Sequence, residues 1–320
     1  MLNRILPIWL LMPLFFLFYS CQSVAQITKK DEVFLFSYFT GNGEDGLHLS
    51  YSTDGFTYFA LNEGKSLLTP SAGGDKLMRD PCIIKGGDGL FHMVWTVSWK
   101  EKGIGYAYSK DLINWSEQQF IPVMAHEPDA RNTWAPEVFY DVDEDLYIIY
   151  WSTTITGRYP ETQSQLDNAH NHRQYYVTTK DFKTFSETKL FYEPGFNVID
   201  GTIKKHKGKY YLFVKDETRE PAKKNIRIAV SDSLTGGYSE AGPPITGEYW
   251  AEGPTVTQVD GQWIVYFDKY TEHSMGAVVS SDLENWTDVS DQVSFPEGTR
   301  HGTVFTVDRA FFDDLLLHLK

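Results

Sequence analysis

Cysteine is nearly absent: Cys21 and Cys82 are the only two in 320 residues. A disulfide framework is out of reach, and if Cys21 leaves with a leader no intrachain disulfide can form. Positive charge is also scarce. The chain has 29 Lys and Arg against 43 Asp and Glu, a formal net charge of −14. That balance disfavours nucleic acid and anionic membrane surfaces as partners and suits a neutral substrate such as a glycan. Long apolar runs are missing too, with one exception. Ile5 to Tyr19 is almost wholly apolar behind Arg4, yet it is short for a spanning helix and lacks a basic stop-transfer flank. Ser23 and Ala25 take the −3 and −1 positions before Gln26, so residues 1–25 read as a secretory signal peptide. No transmembrane domain is then expected in the mature chain. Phe18-Tyr19-Ser20-Cys21 offers a second cleavage reading, a loose lipoprotein box with a lipid anchor at Cys21. Both readings export the protein, to the periplasm, the outer membrane or the medium. Removing residues 1–25 takes away one basic residue, Arg4, and no acidic one, which leaves a net of −15.

What the chain does have is aromatic side chains, 15% of its residues. So many Tyr, Phe and Trp suit strands, a large core and sugar-stacking surfaces. They recur in a pattern. Ser52-Thr-Asp54-Gly-Phe-Thr-Tyr58 is echoed by Ser109-Lys-Asp111-Leu-Ile-Asn-Trp115 and by Thr179-Lys-Asp181-Phe-Lys-Thr-Phe185. Ser231-Asp-Ser-Leu-Thr-Gly-Gly-Tyr238 and Ser280-Ser-Asp282-Leu-Glu-Asn-Trp286 follow. Each copy is a polar turn followed by an aromatic that resumes a strand. Ahead of the last four copies lie aromatic-rich strands: Gly89–Trp95, Asp145–Tyr150, Gly208–Phe213 and Gly261–Tyr266. Earlier still comes a short strand opened by Pro or Gly, at Asp80-Pro81, Ala135-Pro136, Asp200-Gly201, Glu252-Gly253 and His301-Gly302. From Asp80 to His301 the repeat averages about 55 residues, the length of a propeller blade of four antiparallel strands.

The ends supply the closure. The first copy has outer-strand signals and no opening strand, whereas the last, at His301, has the opening strand alone. Pairing the N- and C-terminal strands completes one blade and leaves no free sheet edge. The fold expected is all-β, a five-bladed β-propeller forming one domain over residues 27–320. Asp308 to Lys320 reads as a short packing helix.

In a propeller the opening strands line the central channel. Asp80, Ala135, Asp200, Glu252 and His301 therefore sit at or next to one channel mouth. Carboxyls distant in sequence and convergent in space are what two-carboxylate glycoside hydrolysis requires. One acts as a base and one as an acid, whose pKa a third negative charge would raise. Trp134 and Trp250 flank the mouth as candidate sugar-stacking faces. Arg79 and Arg300, just before Asp80 and His301, are candidate donors to sugar hydroxyls, and His301 is itself a candidate substrate-binding residue. Cys82 falls inside a strand and reads as packing. The polar stretch from Thr153 to His172, with Arg158, Tyr159, His170 and His172, lengthens one connection on the mouth side and should overhang the site. Its two histidines lack the carboxylates of a metal site.

These motifs resemble those of glycoside hydrolase family 43. The match covers essentially the whole mature chain and includes Arg79-Asp80-Pro81, Trp134-Ala-Pro-Glu137, Ile199-Asp200-Gly201, Glu252-Gly-Pro254 and Arg300-His-Gly302. The resemblance implies Asp80 as general base, Asp200 as the residue that modulates pKa and positions substrate, and Glu252 as general acid. It implies an inverting displacement, with acid and base about 6.5–9.5 Å apart. Some members hold a central ion, often calcium, with a histidine of the fifth blade. His301 is its counterpart, so a structural calcium in the channel is implied and no cofactor is required. The implied substrates are oligosaccharides or polysaccharides with α-L-arabinofuranosidic or β-D-xylosidic bonds. Two other readings stay open: a non-catalytic glycan-binding propeller lipoprotein, and a propeller glycosidase for galactosides or fructans. The fructan-cleaving family 32 shares Arg-Asp-Pro, but its Trp-Met-Asn-Asp-Pro-Asn-Gly opening and its Glu-Cys pair are not found here.

Overall fold

Five antiparallel sheets make up the computed structural model, which describes residues 32–319. The leader of residues 1–25, Cys21 and the expected domain start at residue 27 lie outside the described residues. The first blade consists of β1 to β3 and the last strand. Its parts are β1 (Glu32–Tyr38), β2 (His48–Ser52), β3 (Phe59–Ala60) and β19 (Thr303–Asp308). β19 pairs with β1 from Glu32↔Asp308 to Ser37↔Thr303, the closure expected from the complementary ends. The second blade is β4 (Arg79–Lys85), β5 (Phe91–Thr96), β6 (Ile104–Ser109) and β7 (Gln119–Ile121). The third is β8 (Trp134–Asp141), β9 (Leu146–Thr154), β10 (His172–Thr179) and β11 (Lys189–Tyr192).

The fourth blade departs from the expected four strands. It contains β12 (Val198–His206), β13 (Lys209–Asp216) and β14 (Asn225–Ser231), and no fourth strand. The cause is local. Residues 239–245 do run beside β14, but their N–H groups bond to it only at Ser239, Gly242 and Ile245. Pro243 and Pro244 have no N–H to donate, so a regular ladder cannot form. The fifth blade, with β15 (Glu252–Val259), β16 (Gln262–Lys269), β17 (Ser274–Ser280) and β18 (Thr287–Asp288), has all four.

The recurring turn has a simple mechanism. The Ser109 hydroxyl accepts from the backbone N–H of Asp111 and Leu112, while Asp111 Oδ1 accepts from Ile113 and Asn114. The same bonds recur around Ser52–Asp54, Thr179–Asp181 and Ser280–Asp282. In the Ser231 copy there is no Asp at the third place. There Ser231 caps Ser233 alone, and this is the blade that loses its outer strand.

Core packing lies between blades. Cys82, Val94, Val138, Ile149 and Trp151 form part of one such cluster, so Cys82 is packing, with its thiol pushed up by burial. Each fully buried side chain of this size contributes about 1.5–3 kcal/mol. The C-terminal helix α1 (Arg309–His318) is capped by Asp308, whose Oδ1 accepts from Phe311 N–H at 2.7 Å. It buries Phe312 and Leu315 against the closing blade. No helix among the described residues is long and apolar enough to cross a membrane.

Four of the five channel strands break their ladders at the mouth, the exception being β19 beside His301. Pairing shifts between Arg79 and Cys82, Trp134 and Glu137, Ile199 and Gly201, and Glu252 and Thr255. The residue inside the shift is left-handed: Asp80 at φ 51°, Ala135 at 46°, Asp200 at 54° and Gly253 at 59°. A left-handed non-glycine residue costs about 1–2 kcal/mol, least for Asp, whose short polar side chain bonds locally. The bulge turns these side chains out of the sheet and toward the mouth.

Candidate active site

One cavity of about 900 Å³ opens at this mouth, and Asp80, Asp200, Glu252, Arg79, Trp134, Arg300 and His301 all line it. Trp250 does not. It packs against Arg219 (4.8 Å), Lys224 (5.5 Å) and Tyr270 (5.9 Å). The connections between second and third strands complete the walls, supplying Trp99 and Lys100, Asn168 and His170, and Glu217. The 153–172 connection therefore overhangs the cavity, and Arg131 braces it through the carbonyls of Asn168 (2.9 Å) and Ala169 (3.1 Å).

Asp80 accepts from Thr96 Oγ1 at 2.8 Å and faces His301 Nδ1 at 3.3 Å. Burial alone would raise its pKa. The hydrogen bond and charge of His301, with Arg79 and Thr96, outweigh burial and hold Asp80 down to about 2. His301 moves the opposite way. Burial opposes its charge, but Asp80, Asp200 and Glu252 together push it up to about 9. The imidazolium is thus the counter-ion of the carboxylates. Gly253 packs against this ring: a Cβ there would meet His301 Cγ at 2.3 Å, so only glycine fits both the turn and the contact.

Asp200 Oδ2 accepts from the Gly253 N–H at 3.1 Å. Burial first, then the charges of Glu252 and Asp80, raise Asp200 to about 6 against the pull of His301 and Lys215. Glu252 sits one register place earlier than the other two carboxyls. It pairs with Asp268 as Arg79 pairs with Thr96 and Ile199 with Lys215. The shared mouth position is thus filled by Asp80 and Asp200, and Glu252 enters from the neighbouring place. Two cations hold it: Lys215 Nζ donates to Oε2 at 3.0 Å and Arg300 Nη2 to Oε1 at 3.4 Å. Arg300 also donates from Nε to Asp268 at 2.7 Å. Lys215 is buried and further paired with Glu217 at 2.6 Å.

On the third blade's channel strand lies Glu137, which is buried and accepts from Tyr150 Oη at 3.1 Å. Burial raises Glu137 to about 7, opposed by Thr202, His301, Tyr150 and Thr303. Among the described residues no three His, Cys, Asp or Glu side chains are grouped to hold a metal ion. His301 donates its Nδ1–H to Asp80. These side chains do not form a direct calcium cage.

The His301–Asp80 pair predicts a pH window for stability. A raised His301 contributes stability that is complete below the ordinary histidine value of 6.5 and is lost as pH rises through about 9. A lowered Asp80 contributes stability present above 3.8 and lost as pH falls through about 2. The melting-temperature gap between wild type and His301→Gln should be widest between about pH 4 and 6.5 and shrink by pH 9.5. A gap independent of pH in thermal melts would show that the pair is not ionic.

A family model described as "Probable glycosyl hydrolase domain", of the family-43-related glycosyl hydrolases, matches residues 30–313. An α-L-arabinofuranosidase of Bifidobacterium longum is 28% identical over 225 residues, which is 61% of this chain and 21% of that protein. The chain thus spans about a fifth of that relative's length. Two solved structures share the fold. An α-L-arabinofuranosidase from Lactobacillus brevis aligns with a TM-score of 0.51 at 20% identity, over 66% of this chain and 72% of that one. An exo-β-1,3-galactanase from Phanerochaete chrysosporium aligns with a TM-score of 0.54 at 16% identity, over 70% and 52%.

Proposed function

The chain belongs to the family-43-related glycosyl hydrolases, and from that premise we propose that it is an exported glycosidase inverting at α-L-arabinofuranosidic or β-D-xylosidic bonds. One observation carries the reading: three carboxyls from three blades meet in a single cavity, each with a different electrostatic environment. Asp80, ionised across the working pH range, is suited to take a proton from the attacking water as base. Glu252, gripped by Lys215 and Arg300, faces the leaving group and delivers the proton to its oxygen. Asp200, raised to about 6 by burial and by the charges of Glu252 and Asp80, lies beside the acid and fixes the Gly253 turn. Water attacks the anomeric carbon as the glycosidic C–O bond breaks. The proton lost by water goes to Asp80, and the leaving oxygen takes the proton of Glu252.

The arabinofuranosidase relative favours the pentoside class. The galactanase shares only the fold, so galactosides belong in the test. Purified residues 26–320 should be assayed on nitrophenyl α-L-arabinofuranoside, β-D-xyloside, β-D-galactoside and β-fructoside, with Asp80→Asn as control. Release of one sugar that vanishes in the variant supports the proposal. A folded protein silent on every glycoside, yet positive on a glycan array, would replace hydrolysis with binding.

A further inference from the structure

The cavity wall on the side of the second and third blades carries more positive charge than the catalytic carboxyls pair with, although the charge of Arg79 does act on Asp80. Lys215, Arg300 and His301 are paired with carboxylates. Arg79, Lys100 and Arg131 also line the cavity, and among the described side chains none of the three makes an ion pair. In a chain with 43 acidic residues against 29 basic, three unpaired cations on one wall run against the composition. Arg79 and Arg131 are also built in. The Arg79 guanidinium lies between Phe39 at 4.7 Å and Trp99 at 4.3 Å, and its Nη1 donates to Asn42 Oδ1 at 3.0 Å. The indole N–H of Trp99 donates to the same oxygen at 3.1 Å, and that of Trp134 to the Trp99 carbonyl at 3.2 Å. Both indole donors are consumed internally, so the rings present faces rather than hydrogen bonds. Trp99 stays 42% exposed, unusual for a tryptophan so firmly placed.

We propose that this wall is an acidic-sugar subsite, in which Arg79, Lys100 and Arg131 receive the carboxylate of a uronic acid residue that stacks on Trp99 and Trp134. Fixed aromatic faces suit the C–H surface of a sugar ring. A fork-shaped guanidinium with free N–H groups suits a carboxylate, and such charge-assisted bonds are the stronger kind. The overall negative charge, which points to neutral glycans, is here overridden by a local field inside a cleft. This rests on the glycosidase reading and adds to it that the glycan bears uronic acid residues next to the bond cleaved.

The test is equilibrium binding, which needs no turnover, so it can fail separately from the hydrolysis assay. Tryptophan fluorescence and calorimetry on residues 26–320 would follow D-galacturonate and D-glucuronate, their methyl esters, D-galactose and D-galactose 6-sulfate. At least one free acid should bind about tenfold or more tighter than its ester, and the difference should shrink as salt rises. It should fall several-fold in Arg79→Gln and in Lys100→Gln, the second an exposed site where misfolding is not a concern. Equal binding of acid and ester, or a preference untouched by both substitutions, would overturn the proposal. Tight binding of the sulfate alone would also overturn the carboxylate assignment.

Discussion

Glu252→Gln is expected to cut hydrolysis of natural glycosides about 10²- to 10⁴-fold, the usual contribution of a general acid, and to spare substrates that need no acid. Gln keeps the size of the side chain and an oxygen facing Lys215 and Arg300, but it has no proton to give. A sugar alkoxide is a poor leaving group and depends on protonation. A nitrophenolate leaves without it. The ratio of variant to wild-type kcat/KM should therefore rise steeply as leaving-group pKa falls, in a series of aryl glycosides of one sugar. Asp80→Asn should lower all members of that series equally, because water must be activated whatever leaves. If both variants showed the same dependence on leaving group, the acid and base assignments would have to be exchanged or abandoned.

The sequence carried the blades because each repeats a turn with its own chemistry. Ser or Thr and Asp at fixed spacing cap the same backbone groups in four copies, and the aromatic after them falls into an inter-blade core. It carried the three carboxyls because residues at a strand opening precede Pro or Gly, a pattern visible without neighbours. It hid the missing outer strand of the fourth blade. Its signal is Pro243-Pro244 after the one turn without its Asp, a local break that the regular repeat masks. The one-place offset of Glu252 was hidden too, because register depends on pairing across the sheet. Trp250 reads as a mouth residue by its nearness to Glu252, yet it turns to Arg219, Lys224 and Tyr270. The partners of the mouth residues, Thr96, Lys215 and Asp268, lie on second strands and come into view only through the ladder. Their signal is a polar or charged residue closing an apolar run, as in Tyr210-Tyr-Leu-Phe-Val-Lys215.

Lys215 is where that hidden layer carries the largest expected effect on stability. Its ammonium is buried, bonded to Glu217 at 2.6 Å and to Glu252 at 3.0 Å, and it lies 4.6 Å from the ring centre of Tyr270. Burial works against its charge, yet Glu217 and Glu252 raise its pKa well above the ordinary lysine value. Lys224 also bonds Glu217, so two cations and two carboxylates form one chain behind the acid. Lys215→Met would leave charge on Glu217 and Glu252 without its main partner, where the lysine itself is buried in the cavity wall. Breaking a buried pair from one side costs about 3–5 kcal/mol, and thermal melts should show a fall of roughly 10 °C. Removing both sides differs. Lys215→Met with Glu217→Gln takes out opposite charges together, and the double variant should be more stable than the single Lys215 variant, a coupling of about 1–3 kcal/mol. Turnover should not recover with it, because Glu252 still lacks the donor that fixes its Oε2. Stability regained without activity would identify Lys215 as a positioning residue for the acid. Losses that simply add in the cycle would mean that Lys215 and Glu217 act independently, and the chain behind Glu252 would then be ordinary packing.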